Sequence, residues 1–297
     1  SMDDQLIREF AEKLEYLRGL DKRRDEIRSL IDAQEKLTDE INLALDKAAT
    51  LSELEDIYRP YRPKRKTRAS IAKEKGLEPL ANDILKQEKG FDPSKSAVDY
   101  IDEEKGVTSV EDAIQGAMDI IAELVSDNAE IRKRIRNLTN ANGVLVSVAT
   151  DEEKDSVYKN YYDYKEPVKK IAGHRVLAVN RGEKEGFLKV SVETDSEKPL
   201  NSIFRAMITD KNQLCSDIIR EACTDAYQRL IYPSIEREVR NDLTDTASEN
   251  AMKVFAVNLK QLLMQPPVKG KTVLALDPGY RTGCKTAVVD STGKVLD

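Results

Sequence analysis

Apolar residues recur every three or four positions over most of the first 140 residues, which is the spacing that buries one face of a helix. Chain-breaking residues divide this pattern into short helices, because Pro60 and Gly76 each end one and Asp92-Pro93 begins another. The sequence therefore predicts a multi-helical N-terminal region. Its clearest amphipathic helix is defined by Val110, Ala113, Ile114, Ala117, Ile121, Leu124 and Val125.

The pattern changes near residue 175. The runs Val176–Asn180 and Phe187–Val192 have β-strand composition, and Gly182 and Gly186 between them are turn signals. We expect a small β-hairpin near residues 175–192, attached to the helical body.

Helical spacing returns after residue 200. Two adjacent apolar rows between Leu214 and Ile231 indicate a helix at the centre of a core. Residues 234–264 fit either one very long helix or two helices divided at a capping-box sequence over residues 246–249.

A second domain is predicted to begin after the Pro-rich linker Gln265–Pro267. Two β-rich runs, Thr272–Leu276 and Lys285–Val289, flank a glycine-rich connection. Because a lone hairpin is marginal in water, we expect the chain to be a fragment cut inside this domain, with a poorly ordered stub. The predicted fold class is mainly α, with an N-terminal helical domain over 1–195, a central helical segment over 196–266 and a truncated α/β domain over 267–297.

The composition is that of a soluble globular protein, with 40% hydrophobic and 34% charged residues and a net charge of −6. No apolar run approaches the ~20 residues that a membrane-spanning helix needs. The three cysteines form no CxxC pair and no disulfide framework. We therefore expect a cytoplasmic protein without membrane contact. A single histidine argues against a histidine-rich metal site or a catalytic triad, and no cofactor is predicted.

One segment is strongly basic although the chain is acidic. Residues 58–70, here called the basic segment, hold six cations and no acid. The cations could neutralise phosphates, the tyrosines could stack on bases, and the prolines would hold the segment extended. Alternatively, the segment is a connector whose cations pair with the chain's 54 acidic residues and whose tyrosines pack inside. Its candidate nucleic-acid-binding residues are Tyr58, Arg59, Tyr61, Arg62, Lys64, Arg65, Lys66 and Arg68.

A second basic cluster lies at residues 132–136, where Arg132 and Arg136 share a helix face. These two arginines are further candidates for nucleic-acid binding. A solvated helix face is the simpler explanation, since that is what charge runs usually form.

Three stretches resemble the bacterial Tex transcription accessory proteins. The stretch "ELEDIYRPYRPKRKTRASIAKEKGLEPLA" (53–81) resembles the family's N-terminal signature. The stretch "HRVLAVNRGEKEG" (174–186) resembles its next recognisable block. The stretch "LALDPGYRTGCKTAVVDSTGKVLD" (274–297) resembles the opening hairpin of its RNase-H-like, YqgF-type domain. The resemblance implies a helical region with a helix-turn-helix-like part before that domain. It also implies helix-hairpin-helix motifs and an RNA-binding OB-fold domain beyond this chain.

The function implied by the resemblance is that of a non-enzymatic, nucleic-acid-binding transcription accessory factor. Tex proteins are similar to a eukaryotic elongation factor that travels with RNA polymerase. The expected partners are RNA and/or DNA, held mostly through domains outside this chain, and RNA polymerase is a further candidate. One alternative is a protein-interaction scaffold that docks on RNA polymerase or on later domains. Another is an RNase-H-like metal-dependent nuclease when the protein is full length.

Asp277 bears on the nuclease alternative, because metal-dependent RNase-H-like enzymes place their first carboxylate on the first strand. Further ligands would lie beyond residue 297, so Asp277 is at most a vestigial or incomplete carboxylate. No catalytic or metal-binding residue is assigned. The nearby Gly279, Gly283 and Lys285 do not have the spacing of a phosphate-binding P-loop.

Overall fold

Helices form most of the chain in the computed structural model, which describes residues 4–209, 211–266, 269–279 and 283–297. Two small antiparallel sheets complete the described elements, so the predicted mainly-α fold is confirmed. The chain divides into two compact units, Ser1–Leu243 and Thr244–Asp297. Within the described residues, no helix has both the length and the apolar character needed to cross a membrane.

The elements follow one another along the chain as a helical series interrupted by strands. In order they are α1 (Asp4–Asp32), α2 (Asp39–Lys47), α3 (Leu51–Tyr58), α4 (Arg68–Glu74), α5 (Glu78–Lys86), α6 (Pro93–Ala97), α7 (Val110–Asp127), α8 (Ala129–Asn142), β1 (Val144–Ala149), β2 (Asp163–Pro167), α9 (Gly173–Lys184), β3 (Leu188–Glu193), α10 (Glu197–Met207), α11 (Gln213–Asp225), α12 (Tyr232–Leu263), β4 (Val273–Gly279) and β5 (Gly283–Val289).

The first three helices pack around an apolar cluster of their own, here called the N-terminal cluster. Thr50 caps the start of α3: its hydroxyl accepts from the Glu53 amide at 3.3 Å, while the Glu53 carboxylate accepts from the Ala49 amide at 2.7 Å. The cluster consists of Leu20, Ile27, Ile31, Leu45, Ala48, Leu54 and Tyr58.

The main core surrounds α7, the predicted amphipathic helix, which α4, α5 and α11 contact. Ala117, Ile121 and Val125 of α7 are fully buried there. The core also contains Ile135 and Ile219, from either side of residue 195. Buried residues from both sides of position 195 thus belong to one cluster, and the boundary predicted there stays a prediction.

The predicted hairpin near residues 175–192 is wrong in its first half. Residues 173–184 form α9, and Phe187–Val192 gives most of β3. Val176 and Val179, spaced one helical turn apart, bury the same face of α9, and this tertiary burial outweighs their β-propensity. Strand β3 instead pairs antiparallel with β1, and the sheet order is β2-β1-β3.

Helix α11 continues through a π-helical turn at Ala226–Ile231 into α12. Helix α12 is uninterrupted across residues 246–249, so the single-helix alternative is the one found. In the second unit, β4 and β5 pair antiparallel, as the two β-rich runs predict. Residue 267 of the predicted linker, the following residue 268, and residues 280–282 of the glycine-rich connection lie outside the described residues. The expectation that this stub is poorly ordered stays a prediction.

Gly116 on α7 allows a close contact with Leu77 in the main core. A Cβ atom there would clash with Cδ1 of Leu77, which is 1% exposed and packed among the core residues. We expect Gly116→Ala to be less stable to urea than Gly19→Ala by about 1–3 kcal/mol, the usual range for overpacking. Gly19 on α1 has open space around it. Both substitutions raise helix propensity by the same amount, but only Gly116→Ala overpacks its surroundings. Equal stabilities would contradict this packing.

Candidate nucleic-acid interface and the ion pairs beneath it

The basic segment leaves α3 at Tyr58, passes through a 3₁₀ turn at Arg59–Tyr61 and ends at the start of α4. Pro60 allows this turn but prevents α3 from continuing. At the other end, the Thr67 hydroxyl accepts from the Ser70 amide at 3.0 Å, and the Ser70 hydroxyl accepts from the Thr67 amide at 2.8 Å. The segment is therefore an irregular connection fixed at both ends.

The two tyrosines do not provide exposed stacking faces. Tyr58 is buried, and the guanidinium carbons of Arg23 and Arg62 lie 5.8 and 5.6 Å from its ring centre. Tyr61 packs against the N-terminal cluster. Both rings therefore support the fold, as the connector alternative predicts.

The first three cations of the segment are paired within the protein. Arg59 Nε lies 3.2 Å from Asp127 Oδ1, and burial followed by the nearby charge of Arg132 lowers the pKa of Arg59. Lys64 also pairs with Asp127, and Arg62 pairs with Glu55. These cations serve mainly to join the segment to α3 and α7.

The last three cations of the segment, Arg65, Lys66 and Arg68, are exposed. Lys66 lies 3.3 Å from Glu74, but both side chains are about two-thirds exposed, at 67% and 64%, so this pair is weak. Across the described part of the chain, no carboxylate lies within ion-pair distance of Arg65 or Arg68. We call Arg65, Lys66 and Arg68 the exposed cations.

Arg132 and Arg136 are buried beneath the segment, so the solvated-face interpretation was wrong. Arg132 Nε lies 2.5 Å from Asp56 Oδ1, and Arg136 Nη2 lies 2.6 Å from Asp56 Oδ2. Arg136 Nε also donates to Glu238 at 2.5 Å, and Arg132 Nη2 donates to Ser234 at 3.1 Å. These five residues form what we call the Asp56 network, and its arginines do not form an exposed basic face.

The network connects three helices through the two faces of α3. Leu54 and Tyr58 place one face in the N-terminal cluster, while Asp56 reaches α8 from the other. Burial acts to lower the pKa of Arg136, but hydrogen bonds to Glu238 and Asp56 outweigh it and raise that pKa. Arg136 is therefore a fixed cation around which α3, α8 and α12 are arranged.

Asp56, Ser234 and Glu238 were not identified from the sequence. A signal was present, since Arg132 and Arg136 directly follow Ile131 and Ile135 and so border the apolar row of α8. The two acids between the apolar residues Leu54 and Ile57 of α3 were the complementary signal. Nothing in the spacing alone could pair residues about 80 positions apart.

Asp277 lies in β4, opposite Lys285 of β5. Asp290, which follows β5, uses its Oδ1 atom to accept from the amides of Thr292 and Lys294 at 2.8 and 3.0 Å. The Thr292 hydroxyl and these amides lower the pKa of Asp290. Asp290 thus stabilises a turn, and in the described ranges no group of acidic, histidine or cysteine side chains is arranged to hold a metal ion.

Comparison with known proteins identifies the family. Residues 88–255 match the family described as Tex central region-like, and residues 271–297 match the Tex protein YqgF-like domain. The chain belongs to the Tex family. Both predicted parts, the Tex-like helical region and the start of the YqgF-type domain, are thereby confirmed.

Relatives of this Tex-family chain occur in bacteria and in animals. The chain is 46% identical to the uncharacterized protein YdcI of Bacillus subtilis, matching over 100% of its own length and 42% of that protein. It is 36% identical to the transcriptional accessory protein Tex of Neisseria gonorrhoeae (100% and 40%) and 29% identical to S1 RNA-binding domain-containing protein 1 of Homo sapiens (100% and 31%). The chain therefore spans about two-fifths of the bacterial relatives.

The Asp56 network makes a direct prediction for stability. We expect Asp56→Asn to lower the free energy of unfolding by about 3–5 kcal/mol, because it leaves two buried guanidinium groups without their shared counter-charge. Urea unfolding followed by circular dichroism measures this change.

The matched control is Asp46→Asn, which breaks an exposed 2.7 Å pair with Arg28. That substitution should change stability by less than about 1 kcal/mol. If Asp56→Asn is as mild as this control, the network does not hold the helices together.

Proposed function

We propose that this chain is the N-terminal part of a transcription accessory factor that binds nucleic acid without catalysing a reaction. Its membership in the Tex family supports the transcriptional role, as does the name of the Neisseria gonorrhoeae relative. The name of the human relative, an S1 RNA-binding domain protein, supports RNA as one partner. The reducing location that we propose, the cytoplasm, agrees with three free cysteine thiols.

The exposed cations are the observation that carries nucleic-acid binding. Arg65, Lys66 and Arg68 lie within four residues of one connection whose ends are fixed by helix caps. Cations arranged in this way attract phosphates without reading bases, because phosphate contacts position a protein but carry no sequence information. We therefore propose that the segment contributes a weak, sequence-independent contact and that other domains supply most of the affinity.

A second candidate function is a protein-interaction scaffold that docks on RNA polymerase or on later domains of its own chain. The pairing of Arg59, Arg62 and Lys64 with the protein's own acids favours it, since half of the basic segment already serves the fold. An acidic partner surface would suit the exposed cations as well as a phosphate backbone does. Salt-dependent binding to a bare oligonucleotide separates the two candidates.

We expect the chain to bind labelled single-stranded RNA in a fluorescence-anisotropy titration, with log affinity falling by about 0.7 per neutralised phosphate for each unit of log salt. Replacing Arg65, Lys66 and Arg68 by alanine should weaken binding and flatten this slope, because phosphate contacts are lost. Single-stranded and duplex DNA, titrated in parallel, give the preference between nucleic acids.

The matched control replaces Lys95, Lys105 and Lys198, three exposed lysines elsewhere in the first unit, and so removes the same net charge. An equal loss in both triple variants would mean that total charge, and not this segment, attracts the nucleic acid. Absence of binding near physiological salt would favour the scaffold.

A further inference from the structure

A pocket of about 210 Å³ lies beside the Asp56 network, next to the start of the basic segment. Its volume is below the roughly 300–1,000 Å³ of pockets that bury drug-sized ligands, so it fits a small group. Arg59 and Arg62 at its edge have side chains that are 33% and 52% exposed, so the pocket is reachable from solvent. Its charged lining residues are Glu55, Asp56, Arg59, Arg62, Arg132, Arg136 and Glu238.

The acids of this lining already have partners. Asp56 accepts from both buried arginines, and Glu238 accepts from Arg136. Glu55 is held by Arg23 Nε at 2.7 Å and by Arg62. Four arginines and three acids line the pocket, and when the outside partners Arg23 and Asp127 are included, five cations face four acids.

Arg132 has a donor without an acceptor. It is 3% exposed, and its Nη1 atom is buried with no hydrogen-bond partner among the described residues. A buried donor that is left unsatisfied costs about 1–3 kcal/mol, and more when it is charged. An arginine that lines a pocket and retains such a donor indicates that an acceptor belongs in the pocket.

Arg59, whose side chain is partly exposed, also has donors that a ligand in the pocket can use. Its only hydrogen bond to a described residue runs from Nε to Asp127, so its terminal nitrogens stay available. Arg59 and Arg132 line the same pocket, and burial followed by repulsion from the charge of Arg132 lowers the pKa of Arg59. A dianion between Arg59 and Arg132 would reduce this repulsion and satisfy donors on both side chains.

We propose that this pocket binds a phosphate group, either inorganic phosphate or the terminal phosphate of a nucleic acid, between Arg59 and Arg132. Guanidinium groups match phosphate oxygens with paired, charge-assisted hydrogen bonds. Arg62 stands at the edge, and Arg136 is held in place by Asp56 and Glu238. This site is separate from the exposed cations and does not depend on the function proposed for them.

The first experiment titrates inorganic phosphate into the whole chain by calorimetry, in chloride buffer of constant ionic strength. We expect saturable binding and, at ten times the dissociation constant, a rise in Tm of roughly 3 °C over the chloride control. Arg59→Ala should weaken binding about tenfold or more, whereas Arg18→Ala, at an exposed position on α1 outside the pocket, should leave it unchanged.

Arg132→Lys tests the buried donor while keeping its charge beside Asp56. It should weaken phosphate binding as Arg59→Ala does, and if it fails to fold, Arg59→Ala alone still decides the question. A heat and Tm change no greater than with chloride would overturn the site. So would equal losses in Arg59→Ala and Arg18→Ala.

A pair of oligonucleotides that differ only in a 5′-phosphate or 5′-hydroxyl identifies the source of the group. If the phosphorylated strand binds more tightly and Arg59→Ala removes the difference, the pocket takes a nucleic-acid end. If only inorganic phosphate binds, the site serves a free anion. If neither phosphate source binds, the proposal fails, whatever the exposed cations do in the salt titration.

Discussion

The carboxylate of Asp56 is the interaction on which the first unit depends. It is 5% exposed, and each of its oxygens accepts from a different buried arginine of α8. A charge at this depth is tolerated only when its hydrogen bonds are complete, so α3 must keep one position and one rotation against α8. Because α3 also contributes Leu54 and Tyr58 to the N-terminal cluster, the first three helices are fixed to the main core through this contact.

The basic segment continues from α3, so the same constraint determines where its cations lie. Asp127 of α7 and Glu55 of α3 neutralise the first half of the segment. The second half passes beyond the reach of these acids and stays exposed. The basic segment of this acidic protein therefore has two parts with different roles. The cations at its start pair with acids and support the fold, whereas those at its end remain available for binding.

Helix boundaries with a local chemical cause were predictable from the sequence. Asp92 caps α6, and Gly76 adopts a φ of +84° just after the end of α4. The apolar stripe of α7 is buried, as its spacing indicates. Features decided by distant residues were not predictable. β1 was missed and α9 was assigned to a strand, because β-branched residues suit either structure until their neighbours are known. Arg132 and Arg136 were located correctly on a shared face, but only the fold shows that Asp56 lies opposite them.

The π-helical turn at Ala226–Ile231 has a consequence for evolution of this region. A π turn holds one more residue than an α turn in about one revolution, so removing a residue there would leave an α turn and keep the following helix near its present rotation. A deletion between Ser234 and Glu238 has no such extra residue to remove, and it would rotate the helix beyond it by about 100°. Glu238 would then leave the side of α12 that meets the buried arginines. The wide turn is thus a place where a single-codon deletion is tolerated, whereas the same deletion a few residues later would disturb α8 and α3 without altering any residue that they contain.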